Sequence, residues 1–293
     1  MNTIINYFTE NRLSSTILVS VVTLVALKKI FGKKEDITKE FQKDIVYVYE
    51  FGATTSQGVP SNSPFCAKVL LFLEFANIPY KRVPSRPTGP RSKLPFIYYN
   101  GQFVYDSQFI LEFLMKEFNV TQLVPQDDAL ATRDLVIRKF FDDTMTPVTM
   151  YPRWYDEKYS PTFINGVIVV PPYLAFIRNY VVKNIRKQLY ASGIGRYPAE
   201  EVYKMGRDYI DAISNLLGAQ QFFLGDTLSL CDLTAFCLLI QFRYSPLAKN
   251  PLSDYLATKQ NICEYIDRVK HTLCTEEKWN LLLDSRNNLY YRK

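Results

Sequence analysis

The stretch Lys93-Leu94-Pro95-Phe96-Ile97-Tyr98-Tyr99-Asn100-Gly101-Gln102-Phe103-Val104-Tyr105-Asp106-Ser107 decides the fold. Two runs of aromatic and β-branched residues flank Asn100-Gly101. A two-residue hairpin favours that dipeptide because both of its central positions need positive φ. The stretch therefore predicts two antiparallel strands joined by a tight turn. Asp106-Ser107 places capping side chains at the start of QFILEFLMKEF, whose apolar residues recur at helical spacing.

Working outward toward the N-terminus, Ile45 to Phe51 reads as a strand and Gly52 to Asn62 as a loop rich in Gly, Ser and Thr. Ser63-Pro64 then opens the helix PFCAKVLLFLEFAN, with serine at the cap and proline at the first helical position. A second strand is expected near Tyr80 to Pro84. The resulting order, β-α-β, connection, β-β-α, is a thioredoxin-like layout over residues 45–125. From Asp127 onward the strand patterns stop. ALATRDLVIRKFFDDTM, YLAFIRNYVVKNIRKQLY, EEVYKMGRDYIDAISNLLG, DLTAFCLLIQF and ICEYIDRVKHTLC all have helical spacing, so residues 126–293 read as an all-helical domain. Within it, Ser229 with Asp232 three residues later forms a capping-box pattern, and Leu228 is placed to staple onto Leu233.

Residues 1–34 are read as a membrane anchor with a basic flank, and 35–44 as a linker. Leu13 to Leu27 carries no charge. Extended to Phe31 it makes a helix of about 28 Å, close to the thickness of a bilayer core. A cleaved signal peptide would need a small-residue site, which VALKKIFGKK does not offer. A buried core helix is the other reading, and a lipid-spanning anchor over residues 13–31 is the favoured one. Lysines follow the span, which puts the folded part in the cytosol. Asn119-Val120-Thr121 is a glycosylation acceptor by pattern and would stay unused on that side.

The net charge is +6, but Arg12, Lys28, Lys29, Lys33 and Lys34 against Glu10 place much of it beside the span. The remainder is close to neutral on average, so no nucleic-acid partner is expected. Five cysteines at irregular spacing suit a reducing compartment better than a disulfide scaffold. The single histidine, His271, lies in a charged helical stretch and leaves a Ser/His/Asp triad without its base. No metal site is expected, since Cys231 and Cys237 do not share a helix face.

The N-terminal half resembles the N-terminal domain of glutathione transferases. Ser63-Pro64-Phe65-Cys66 sits at a helix start, Leu94-Pro95-Phe96 at the cis-proline position, and Asp106-Ser107 before the next helix. The resemblance implies glutathione as co-substrate and Ser63 as the residue that activates its thiol, with Tyr49 as the alternate. The helix start adds unpaired N–H groups, at Phe65 and Cys66, that favour a thiolate. Leu94 would pair with the extended peptide beside Pro95, Asp106 and Ser107 would receive its γ-glutamyl end, and Lys93 would reach its glycyl carboxylate. The same residues also serve as plain caps, Cys66 as a buried small hydrophobe, and Tyr49 as a strand-packing residue. Tyr151, Trp154 and Tyr155 are candidates for an electrophile cleft between the two halves.

Tyr151-Pro152-Arg153-Trp154, Gly193-Ile194-Gly195-Arg196 and Leu216-Leu217-Gly218 resemble the failed-axon-connections and metaxin branch, and within it the nematode cadmium-inducible lysosomal proteins. That resemblance implies a cadmium or toxic-stress response and a lysosomal membrane address. Two functions stay open. One is a transferase conjugating small electrophiles; the other is a non-catalytic adaptor on the same fold. The resemblance allows a homodimer in either case.

Overall fold

In a computed structural model of the chain, the described residues are 37–51, 58–85, 90–284 and 289. The expected membrane helix, residues 13–31, lies outside them. The chain divides into two units, and the second, Gln42–Tyr291, contains all the strands and α-helices that follow.

Strands β1 (Val46–Phe51), β2 (Tyr80–Ser85), β3 (Phe96–Tyr99) and β4 (Gln102–Tyr105) form one sheet in the order β2-β1-β3-β4. The β1–β2 pair is parallel and the other two are antiparallel. Helix α1 (Pro64–Phe75) makes the crossover between the parallel strands, and α2 (Ser107–Glu117) follows the hairpin. Asn100 and Gly101 have φ of 43° and 93°, the positive pair that the hairpin turn needs. Asn100 also exchanges two hydrogen bonds of 2.8 Å with Asp44, which ties the turn to the start of β1.

The helical half comprises α3 (Asp128–Lys139), α4 (Thr146–Trp154), α5 (Ser160–Val167), α6 (Ala175–Ala191), α7 (Ala199–Leu217), α8 (Leu230–Arg243), α9 (Pro251–Leu256), α10 (Gln260–Leu273) and α11 (Glu276–Leu283). Helix α8 is its hub, buried along its whole length from Leu230 to Phe242. Helix α1 packs on α8 as well as on the sheet side of its own half. That double contact is why Cys66 to Leu73 is buried without a polar stripe. The one charged residue in that run, Lys68, is 1% exposed and pairs with Asp142 at 2.8 Å, across the two halves.

The helix expected over residues 129–145 is longer and interrupted. A π-helical turn, Phe140–Met145, separates α3 from α4. Pro147 has no N–H to offer Asp143, and the wider turn absorbs the lost bond: the Thr146 N–H reaches back to the Phe141 carbonyl. The capping box at the start of α8 is present as read from the sequence. The Asp232 carboxylate accepts from the Ser229 N–H at 2.9 Å, and Leu228 and Leu233 are buried in the same core.

Candidate functional site

The sheet register sets Tyr49, Leu94–Pro95 and Asp106–Ser107 at one end. Tyr49, near the C-terminal end of β1, lies opposite Phe96, the first residue of β3, and Phe96 lies opposite Tyr105, the last of β4. Pro95 and Asp106 are therefore the next residues out from a paired position. The chain leaving β1 at this same end runs through the loop to Ser63 and α1. The Leu94–Pro95 bond is cis, at the place expected.

Ser63 is the cap of α1, and its Oγ accepts from the Cys66 N–H at 3.4 Å. That bond uses a lone pair of the hydroxyl, and the hydroxyl also hydrogen-bonds the Cys66 thiol. The Cys66 amide is thus engaged by Ser63, and the Cys66 side chain is fully buried. Burial, with Glu50 as the next contributor, pushes its thiol up to about 12, which makes it inert at neutral pH. Phe65 is half-buried, with the Lys68 ammonium 5.7 Å from its ring.

Buried side chains hold the residues before Ser63 from several directions. Arg82 of β2 donates to the Pro60 carbonyl at 3.3 Å, Gln241 of α8 to the Ser61 carbonyl at 3.0 Å, and Arg153 of α4 to the Asn62 carbonyl at 3.4 Å. Arg153 also donates to Gln241 Oε1 at 3.1 Å and stacks its guanidinium 4.9 Å from the Phe163 ring. It is 4% exposed, and burial lowers its pKa to about 9. Arg82 pairs with Glu50 at 2.7 Å; burial raises the Glu50 pKa, against the opposing pull of Arg82. Sequence reasoning found Ser63 but missed these anchors. The only available hint was Arg153, inside a quartet singled out for resemblance alone.

Asp106 has φ of 80° and ψ of 131°, a conformation a non-glycine residue rarely holds. Its carboxylate is exposed and accepts from the Gln108 N–H at 2.9 Å, so it caps α2. Ser107 is buried, as are Leu94 and Pro95, while Lys93 is exposed. Tyr49 is 9% exposed and stacks on Phe96 with centroids 4.2 Å apart, within a cluster that includes Phe103. Tyr49 thus packs within the aromatic cluster of the sheet.

The aromatics expected between the halves sit elsewhere. Tyr151 and Tyr155 stack at 5.2 Å and line a groove of about 1500 Å³ whose walls all come from the helical half, chiefly α4 to α7. None of Ser63, Lys93, Leu94, Pro95, Asp106 or Ser107 lines it. Trp154 turns instead onto Phe163, 5.3 Å away edge-on, and its carbonyl accepts from Arg186 at 2.8 Å. Tyr203 closes the floor of the groove by donating to Asp156 at 2.7 Å. The averaged charge also concealed a second basic segment. Residues 158–199 contain Lys158, Arg178, Lys183, Arg186, Lys187 and Arg196 and no Asp or Glu.

Among the described residues, no group of three or more His, Cys, Asp or Glu side chains is placed to hold a metal ion. None of the helices described is long and apolar enough by itself to cross a membrane.

Residues 64–159 match the family model described as glutathione S-transferase N-terminal domain, and residues 206–269 that described as glutathione S-transferase, C-terminal domain. The chain is 29% identical over 254 residues to Failed axon connections of Drosophila melanogaster, covering 78% of this chain and 58% of that protein's length. It is 26% identical over 231 residues to isoprene-epoxide glutathione S-transferase of Rhodococcus sp. (strain AD45), covering 75% and 96%. To Metaxin-3 of Xenopus laevis it is 26% identical over 230 residues, covering 72% of each. Among solved structures, a β-etherase from Sphingobium sp. strain SYK-6 matches with a TM-score of 0.55 at 17% identity, over 80% of this chain and 98% of that one. A glutathione S-transferase from Methylobacterium radiotolerans, in complex with glutathione sulfonate, matches with a TM-score of 0.50 at 18% identity, over 85% and 97%. At those identities the structural likeness carries the fold.

Proposed function

The chain is a glutathione-transferase-like protein of the group that includes Failed axon connections and the metaxins, and from that premise we propose that it binds glutathione at the sheet end and presents its thiol to small electrophiles at a membrane surface. The observation that supports this reading is the register that sets Leu94–Pro95 and Asp106–Ser107 just beyond the paired end of the sheet, where β1 also ends on its way to Ser63 and α1. Two further features suit it. The Ser63 hydroxyl stands at a helix N-terminus, and Asp106 is held in a costly backbone conformation of the kind that recurs at ligand sites.

In this reading the Ser63 hydroxyl donates to the glutathione sulfur and, with the partial positive charge of α1, lowers the thiol pKa. The γ-glutamyl end rests on Asp106 and Ser107, the cysteinyl backbone pairs with Leu94, and Lys93 meets the glycyl carboxylate. The thiolate forms a C–S bond as the electrophile's leaving bond breaks, and solvent protonates the departing atom. An epoxide fits this chemistry, in line with the printed name of the Rhodococcus relative.

Residues 13–31 tether the chain in the proposal, with the folded part in the cytosol on an endomembrane. The narrower lysosomal address and cadmium-stress role follow from the resemblance alone. Asn119 is exposed, so a glycan on it in cells would overturn the orientation.

The test of the site is retention of the full chain on immobilised glutathione together with conjugation of a test electrophile. Ser63→Ala should slow turnover at least tenfold while the chain stays folded. Retention with a rate indifferent to Ser63 would sink the mechanism. A second reading, a non-catalytic adaptor, draws on the Cys66 amide, which already occupies Ser63 Oγ. It requires a partner whose binding ignores Ser63→Ala.

A further inference from the structure

Exposed side chains of α6 follow a pattern that the core does not explain, and three of them, Lys183, Lys187 and Tyr190, also line the rim of the groove described above. Phe176, Tyr180, Lys183, Lys187 and Tyr190 are all exposed and recur at alternating steps of four and three residues. That spacing puts them on one side of the helix. The opposite side is committed: Leu189 is buried and Ile185 packs on the core. Just before α6, Val169 and Tyr173 are 74% and 78% exposed; with Tyr180 at 67% and Phe176 at 64%, they are the most exposed large apolar side chains described. Water gains nothing from covering such a stripe, and contiguous exposed apolar surface marks a contact surface.

Charge decides which contact. The acid-free run, residues 158–199, supplies four basic residues besides the stripe's own Lys183 and Lys187, while Glu157 and Glu200 at its two ends line the same groove as those lysines. Arg186 and Arg178 are engaged, by the Trp154 carbonyl and by Asn165. Lys183 and Lys187 have no ion-pair partner among the described residues. Valine and phenylalanine for an acyl layer, tyrosines for the polar boundary and free lysines for anionic headgroups are the combination an interfacial helix carries. Two copies of the face would repel through the same lysines. A nucleic-acid backbone would satisfy the lysines but leave Val169 and Phe176 in water.

The α5–α6 pair is long and apolar enough together for a broken span, but its bend and its buried residues suit a surface contact better. Helices α5 and α6, the latter with the short turn that precedes it, meet at 108° across Pro171 and Pro172. Phe163, Ile164 and Leu189 hold both helices in the protein body. We infer that the outer face of α6, with Val169 and Tyr173 at its head, lies on an anionic phospholipid surface. This contact is separate from the tether of residues 13–31 and does not depend on it.

The test places a reporter in the face itself, because a tethered chain would associate with vesicles in either case. Full-length chain carrying Phe176→Trp is reconstituted with vesicles of brominated phosphatidylcholine, with or without phosphatidylserine. Its fluorescence is compared with that of the parent chain, whose only tryptophans are Trp154 and Trp279. Quenching of the added tryptophan is expected on the anionic vesicles. Lys183→Glu with Lys187→Glu should weaken it roughly tenfold or more, with circular dichroism unchanged. No quenching, or quenching equal on neutral vesicles and indifferent to the charge reversal, overturns the inference. So does a concentration-dependent blue shift without vesicles, which would mean that a second copy covers the face.

Discussion

Arg153 in the helical half donates a hydrogen bond to the carbonyl of Asn62, the residue immediately before Ser63. The candidate catalytic serine is therefore positioned partly by the other half of the molecule. Arg153 spends three hydrogen bonds on carbonyl and amide oxygens and has no carboxylate among those partners. Replacing it with methionine keeps the volume and strands those acceptors in the interior. Arg153→Met should cost about 2 kcal/mol in urea unfolding and speed hydrogen exchange at the Ser61 and Ser63 amides. Unchanged exchange there would show that the loop does not depend on it.

Ser63 caps α1 and, in the proposed reading, also offers a proton. Ser63→Ala should destabilise the fold by about 1 kcal/mol through the lost cap. Ser63→Asp restores an acceptor for the Cys66 N–H but has no proton to give at neutral pH. It should recover thermal stability and leave glutathione thiol ionisation, followed by ultraviolet titration, uncatalysed. Recovery of both would assign the chemistry elsewhere.

Lys68 and Asp142 join the two halves at 2.8 Å, and the lysine is 1% exposed. Removing either partner leaves the other charge buried, so Lys68→Met or Asp142→Leu alone should cost about 3–5 kcal/mol. The double variant should lie within about 1 kcal/mol of the parent, since a well-packed apolar pair replaces a desolvated ionic one. Equilibrium unfolding of the full double-mutant cycle checks this.

Asp232 accepts from the Phe223 N–H, the Ser229 N–H and hydroxyl, and the Tyr265 hydroxyl, all within 2.7–2.9 Å. Asp232→Ala orphans these donors at the start of the hub helix. A loss of about 3 kcal/mol or more is expected in calorimetry or denaturant unfolding. A loss under 1 kcal/mol would mean that the neighbouring residues repack around the gap.

Alkaline pH should unfold the protein early. Burial pushes the Cys66 thiol up to about 12 from its ordinary 9.0, and raises the phenols of Tyr203 and Tyr265, the latter with help from Asp232. Each is an acid whose folded pKa lies above its unfolded one. The unfolded chain thus releases more protons at high pH, and stability present below about pH 9 is lost as pH rises toward 12. The melting temperature should fall steadily above pH 9, with Cys66→Ala showing a shallower slope. A thiol reagent should leave Cys66 unlabelled until denaturant is added.

Local chemistry made the sheet, its turn and the helix caps beside it legible. Asn100-Gly101, Ser63-Pro64 and Asp106-Ser107 act through neighbours within a few residues, so their roles can be read in order along the chain. Arg153, Gln241 and Arg82 act through partners 91, 180 and 22 residues away, and no periodicity announces such a meeting. Short helices were also missed. Helices α5, α9 and α11 have 8, 6 and 8 residues, too few turns for an apolar stripe to repeat. The basic face of α6 was readable as an acid-free run, but averaging the charge over the whole folded part erased it.

The guanidinium of Arg82 that steadies the Pro60 carbonyl also donates to the Leu282 carbonyl, 200 residues further along. Lys278 of the same late helix reaches back to the Glu74 carbonyl and the Asn77 side chain at the far end of α1. During synthesis, then, the sheet and its serine emerge long before the contacts that finish them. A ribosome stalled ahead of Glu276 would display a nascent chain with Ser63 on a loop that still lacks its final brace. That brace cannot form until Leu282 has been made.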